Sequence, residues 1–279
     1  MPTSAKRPVE DEVSVHTVSA AYGAELHVVE AGRGPVIVLV PGWTMAWTVF
    51  ERQIPWLAES HRVIAFDPRG QGRSTTTFDG NSYSQHGKDL ETVVDALTVE
   101  RFSLVGWSAS VLEAYDYLGR AGCDRVERLV LIDQTPCPYA VDTASTWYEF
   151  DWSSFRAFLT AVTEDRPAFA SWFVDWMTSR PLDATDHQWL LDMHKATTTT
   201  VATTLAMDWM FRDYTAVAEA VDRRLPVLHF VADHWIEAAR AWLGTHTPNT
   251  QVAPTCSHIG FWEDPAVFNS QLASFLQTG

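Results

Sequence analysis

Apolar positions along the chain fall into short unbroken runs separated by longer, helix-spaced stretches. Val36-Ile37-Val38-Leu39-Val40 is such a run, stopped by Pro41-Gly42. A continuous β-branched segment of this length predicts a strand buried on both faces, as a parallel sheet requires. Residues 62–66, 102–105, 129–132 and 227–231 have the same character, and residues 250–253 predict a last, weaker strand. Residues 13–18 and 25–30 alternate weakly about Tyr22-Gly23, the pattern of an antiparallel pair ahead of the others. Helical spacing fills the intervals at 48–59, 83–97, 109–120 and 266–276. Strands alternating with helices predict an α/β fold: a mostly parallel sheet flanked by helices.

The alternation breaks between about residues 134 and 222. That stretch holds no strand-like run, but it has helical spacing at 152–162, 168–177 and 186–194. It reads as a helical cap, residues 135–221, inserted into a core made of residues 1–134 and 222–279. The cap carries Trp147, Trp152, Trp172, Trp176, Trp189 and Trp209 out of 13 tryptophans in the chain. Large rings can build a small cap's own core, or they can line an apolar or aromatic pocket. Trp147, Trp176 and Trp209, with Trp107 and Met45 from the core, are the pocket candidates.

Composition and charge narrow the partners. Hydrophobic residues make up 46% of the 279 and charged residues 20%, an ordinary globular balance. A formal net charge of −15 repels phosphate backbones and anionic lipid, so nucleic-acid and membrane partners are not expected, and a small molecule is. Cys123, Cys137 and Cys256 are odd in number and widely spaced, which fits neither a disulfide framework nor a metal site. With a polar start and no apolar run of about 18 residues, the reading is a cytoplasmic protein in a reducing compartment. Oligomeric state is left open.

Gly106-Trp107-Ser108-Ala109-Ser110 follows the predicted strand at 102–105 and opens a helix. A nucleophile on a sharp strand-to-helix turn sits in strained backbone, and small residues two before and two after let strand and helix approach. The last of these is Ser110 where glycine is usual, so a slightly more crowded turn is expected. Phe66-Asp67-Pro68-Arg69-Gly70-Gln71-Gly72-Arg73-Ser74 reads as a structural turn, with Asp67 and Arg69 as scaffold. His258, in Ser257-His258-Ile259-Gly260-Phe261-Trp262-Glu263, lies on a late loop where a general base for Ser108 could stand. His229, inside an apolar strand, reads as core.

On Pro41-Gly42-Trp43, the Asp67–Ser74 turn, the elbow at Ser108 and the Ser257-His258 loop, the chain resembles the α/β-hydrolase superfamily over nearly its whole length. The most similar members are the non-haem haloperoxidase-like and esterase-like enzymes. A fainter similarity runs to the cofactor-independent 2,4-dioxygenases of hydroxy-oxoquinolines. The resemblance implies backbone N–H groups of Trp43 and Ala109 as an oxyanion hole, and no cofactor or metal. It also implies an acid to orient His258. The usual place, after the strand at 227–231, reads Ala232-Asp233-His234-Trp235, with Trp235 where the acid is expected. Asp133, ending the strand at 129–132, is the first candidate and Asp233 the alternative. The function implied is hydrolysis of a small apolar or aromatic ester, lactone or thioester. Cofactor-free oxygenation by a His–Asp dyad and a catalytically silent binding protein are the alternatives, and Ala109 and Met45 stand where the dioxygenases carry histidines.

Overall fold

The computed structural model describes residues 7–139, 146–148 and 151–277. Eight strands form one sheet: β1 (Ser14–Ala20), β2 (Ala24–Ala31), β3 (Val36–Val40), β4 (Arg62–Phe66), β5 (Phe102–Trp107), β6 (Val126–Ile132), β7 (Val227–Ala232) and β8 (Gln251–Thr255). Their order is β1-β2-β4-β3-β5-β6-β7-β8. β1 and β2 pair antiparallel, β2 pairs antiparallel with β4, and every later pairing is parallel.

The unbroken apolar runs have the expected cause. Successive side chains point to opposite faces of a sheet, and here both faces are covered. Ile37, Leu39, Val105, Val130 and Ile132 join one core. Their neighbours Val38, Val40, Leu104, Leu129 and Leu131 join another on the opposite face. Helices α2 (Tyr83–Ala96) and α3 (Ser110–Ala121) cover the second face with Leu90, Val93, Val111 and Leu118. The first face meets α1 (Ile54–Ala58) and the C-terminal helix Pro265–Gln277 through Ile54, Leu57, Phe268 and Leu272. The single helix expected at 48–59 is divided: a 3-10 turn at Trp47–Phe50 stops, and α1 restarts with a proline in its first turn. Proline fits only where its missing N–H is not needed, so it marks a new helix start.

Between β6 and β7 the chain is helical: α4 (Trp152–Glu164), α5 (Arg166–Met177), α6 (Ala184–Ala196), α7 (Thr199–Met210) and α8 (Thr215–Asp222). The last two had no clear spacing in the sequence, because α7 begins in a run of β-branched threonines that favour neither state strongly. Thr198 caps α7 by accepting the Val201 N–H at 3.3 Å. Among the described residues this segment does not build a separate core. Val162, Phe169, Val174, Leu190 and Leu205 belong to the same apolar cluster as the sheet face beneath them. Helix α9 (Ile236–His246) follows β7, and the short α10 (Gly260–Glu263) precedes α11 (Pro265–Gln277). Among the described residues no helix is long and apolar enough to cross a membrane.

Candidate active site

Ser108 stands between the end of β5 and the start of α3 with φ of 56°. Left-handed backbone is costly for a residue with a Cβ and persists only where the surroundings enforce it. They do: the Ser108 N–H donates to Ile132 O at 2.7 Å. Gly42 presses from β3's end, where an added Cβ would lie 2.8 Å from Ser108 Cβ. Ser110 is not a source of crowding. Its hydroxyl lies 2.8 Å from both Val40 O and Trp107 O and shares its one proton between them, which ties the first turn of α3 to two strands. The demand for a small residue falls on Gly106 instead, whose added Cβ would be 3.2 Å from Ser110 O.

His258 comes from the loop between β8 and α10. Its Nε2 lies 2.9 Å from Ser108 Oγ and its Nδ1 lies 2.7 Å from Asp133 Oδ2. One tautomer satisfies both contacts: Nδ1–H donating to the carboxylate and Nε2 accepting the hydroxyl proton. The ring is also held through its backbone, since Trp107 Nε1 donates to His258 O at 2.7 Å. Ser257 donates to the buried Glu263, which also accepts the Ser179 N–H at 2.8 Å, while Ile259 N donates to Met177 O at 3.1 Å. The loop is thereby tied to the end of α5.

Asp133 follows β6 with φ of 50°. Its N–H donates to Phe230 O, and its second oxygen accepts the Ala232 N–H, both at 2.8 Å. Tyr148 donates its hydroxyl to Asp133 O at 2.7 Å. Burial, with the Asp133 charge adding to it, holds that phenol well above its ordinary range. Asp233 is elsewhere: its side chain is exposed, and no hydrogen bond joins it to His258.

A cavity of about 400 Å³ opens over Ser108 and His258. Among the described residues 13 line it, eight of them Trp, Tyr or Phe and none Asp, Glu, Lys or Arg. Trp176 and Trp209 line it, and the Trp176 ring centre is 4.9 Å from that of His258. Three expected pocket residues do not. Trp107 is buried against Phe261, with its N–H used by His258 O. Met45 is 1% exposed in the core below. Trp147 packs on Trp242 and His229 in a cluster of its own. Each is apolar, but each spends its surface on packing. Tyr148, Trp172 and Trp235, which the sequence had not nominated, do line the cavity. Trp235 gave a signal, since it replaces the usual acid.

Trp43 and Ala109 also line the cavity. Among the described residues neither backbone N–H is taken by a hydrogen bond. The Trp43 indole donates to Ala202 O of α7 at 2.9 Å. Behind it, Asp67 accepts the Trp47 and Arg73 N–H groups, each at 2.8 Å, and its burial raises its pKa to about 7. Arg69 and Asp89 form a buried two-pronged ion pair at 2.7 and 2.9 Å. The three cysteines are unpaired, and among the described residues no three His, Cys, Asp or Glu side chains are grouped to hold a metal ion.

Residues 35–210 match the family model for the alpha/beta hydrolase fold, well over half of the chain. The protein belongs to the alpha/beta hydrolase family. A non-heme haloperoxidase of Rhodococcus erythropolis is 32% identical to this family member over 153 residues, 54% of this chain and 56% of that protein. A bifunctional esterase/perhydrolase of Acinetobacter calcoaceticus is 37% identical over 112 residues, 40% of each chain. The chain thus spans about half the length, or less, of these curated relatives. Among solved structures, a bromoperoxidase from Bacillus anthracis superposes with a TM-score of 0.85 at 24% identity, covering 95% of this chain and all of that one. That likeness concerns the fold.

Proposed function

We propose that the protein is a serine hydrolase that cleaves small apolar or aromatic carboxylic esters, lactones or thioesters. The observation that carries this reading is the series Ser108 Oγ, His258 Nε2 and Nδ1, Asp133 Oδ2, with spacings of 2.9 and 2.7 Å, opening on a cavity whose described lining is mostly aromatic. His258 takes the Ser108 proton as Oγ attacks the carbonyl carbon, and it returns that proton to the leaving alkoxide or thiolate. Asp133 keeps the imidazole in the Nδ1–H tautomer and stabilises the imidazolium. The free N–H groups of Trp43 and Ala109 receive the oxyanion. Water, deprotonated by the same histidine, then attacks the acyl-enzyme and releases the acid.

The helical segment 135–221 acts as a cap, and its rings select flat or aliphatic acyl and leaving groups by contact area rather than by charge. The cytoplasmic reading made from composition stands as part of this proposal. No specific observation favours oxygenation or a silent binding role over acyl transfer.

A fluorophosphonate probe followed by peptide mapping tests the mechanism, with p-nitrophenyl acetate, butyrate and benzoate as substrates. Labelling at Ser108, and its loss together with turnover in Ser108→Ala, is the expected result. Folded protein that stays unlabelled, or oxygen uptake with a hydroxy-oxoquinoline in place of ester cleavage, would overturn it.

A further inference from the structure

The strap Gly42-Trp43-Thr44 carries one of the two proposed oxyanion donors, and one side chain grips it on both sides of that donor. Gln71 is 2% exposed. Its Nε2 donates to Gly42 O at 3.4 Å, and its Oε1 accepts the Thr44 N–H. Gly42 O and Trp43 N belong to the same peptide unit. Among the described residues no peptide bond is cis, and in a trans unit the C=O and N–H point in opposite directions. A donor that holds Gly42 O therefore turns the Trp43 N–H the other way, away from Gln71.

We propose that Gln71 is a positioning residue whose amide fixes the direction of the Trp43 N–H at Ser108, a role that rests on the oxyanion reading above. The strap needs such a clamp. Thr44 has φ of 63°, a conformation a β-branched residue resists. Rotation of the Gly42–Trp43 peptide would present a carbonyl, not an N–H, to the reacting oxygen. Met45 N donates to the same Gly42 O at 3.1 Å and supports the same orientation. Gln71 is itself rigid: its N–H donates to Pro68 O at 2.9 Å, and its carbonyl accepts the Ser74 N–H at 3.1 Å. The opposite side is fixed by the Trp43 indole on Ala202 O and by Thr44 Oγ1 against His194 Nδ1. Polar filling alone would ask for one hydrogen bond here. Gln71 bonds the acceptor before Trp43 and the donor after it, which only a side chain with both functions can do.

Gln71→Met keeps the shape and removes both bonds. Its kcat on p-nitrophenyl butyrate is expected to fall on the order of 100-fold, the scale for loss of one oxyanion donor, with KM unchanged. Fluorophosphonate labelling of Ser108 should slow, and affinity for an aryl trifluoromethyl ketone, whose adduct carries an oxyanion, should drop by a similar factor. Wild-type labelling and inhibitor affinity in the variant, or a raised KM with kcat intact, overturns the proposal. If Gln71→Met does not fold, Gln71→Glu keeps the acceptor for Thr44 and loses the donor to Gly42. The same loss of kcat is expected there, and wild-type kcat overturns the proposal. A wild-type protein that is never labelled at Ser108 sinks both this inference and the nucleophile reading. Labelling that is intact in wild type and variant alike sinks this inference alone.

Discussion

Asp133 and His258 are 125 positions apart in the chain, yet Asp133 Oδ2 lies 2.7 Å from His258 Nδ1. The other carboxylate oxygen accepts the Ala232 N–H, so the group is aimed by the neighbouring strand as well as by its own left-handed backbone. Asparagine at 133 would keep the size but offer its amide to one of two donors that now face oxygens. The wrong imidazole tautomer results, and kcat should drop by roughly 10⁴ in Asp133→Asn. Steady-state ester hydrolysis checks this, with Asp233→Asn expected to match wild type.

Ser110 is a structural tie. Ser110→Ala removes the one O–H that Val40 O and Trp107 O share. A loss of about 1 kcal/mol is expected from removing one buried hydrogen bond. Urea denaturation of the two proteins measures it. Stability equal to wild type would return Ser110 to the status of a tolerated substitute for glycine.

Trp172 lines the cavity but is 53% exposed, and among the described residues it makes ring contacts only within α5, to Phe169, Phe173 and Trp176. Trp172→Ala should leave folding and kcat close to wild type. The loss of an aromatic contact worth about 1 kcal/mol should raise KM for aryl esters roughly fivefold. Acetate esters of small aliphatic alcohols should be little affected, and a KM that rises equally for both classes contradicts selection by ring contact.

His194 and His229 make stability depend on acid. Burial, aided by Arg166 and Lys195, lowers the His194 pKa to about 2, and burial lowers that of His229 to about 4. Both are neutral in the folded protein at a pH where an unfolded chain binds protons, so unfolding takes up protons below about 6.5. Their contribution is complete above that pH and is lost as pH falls, toward about 4 for His229 and toward about 2 for His194. Asp67, with its pKa raised to about 7, has the opposite slope, since the folded state holds the extra proton between about 4 and 7. Chemical denaturation of wild type and His194→Asn at pH 5 and 7.5 isolates the first effect. The difference between the two pH values should shrink in the variant.

Arg69 is fully buried, paired with Asp89 through both prongs, and donates to Ala21 O at 2.7 Å. Arg69→Met should cost about 3–5 kcal/mol, because Asp89 is left as an unpaired buried charge. Activity per folded molecule should be unchanged. A thermal melt with an active-site titration separates the two.

Local chemistry wrote much of this protein into its sequence. The runs at 36–40, 62–66 and 227–231 announced strands covered on both faces, because parallel strands leave no polar side to alternate with. Gly106 and Ser108 announced the elbow, since a serine at φ 56° needs small neighbours whatever the rest of the chain does. His258 was legible as the partner because its loop ends at the same edge of the sheet. Long-range packing settled what spacing could not. Asp133 rather than Asp233 meets His258, because β6 and β7 are neighbours and only the turn after β6 points its carboxylate inward. Trp107, Met45 and Trp147 went into the core while Trp172 and Trp235 reached the cavity, a choice made by which face of each element the sheet already covers. Gln71 passed in the sequence as part of a turn. Its position beside Gly42 and Thr44, 29 and 27 residues earlier, exists only once β3 and β4 lie side by side.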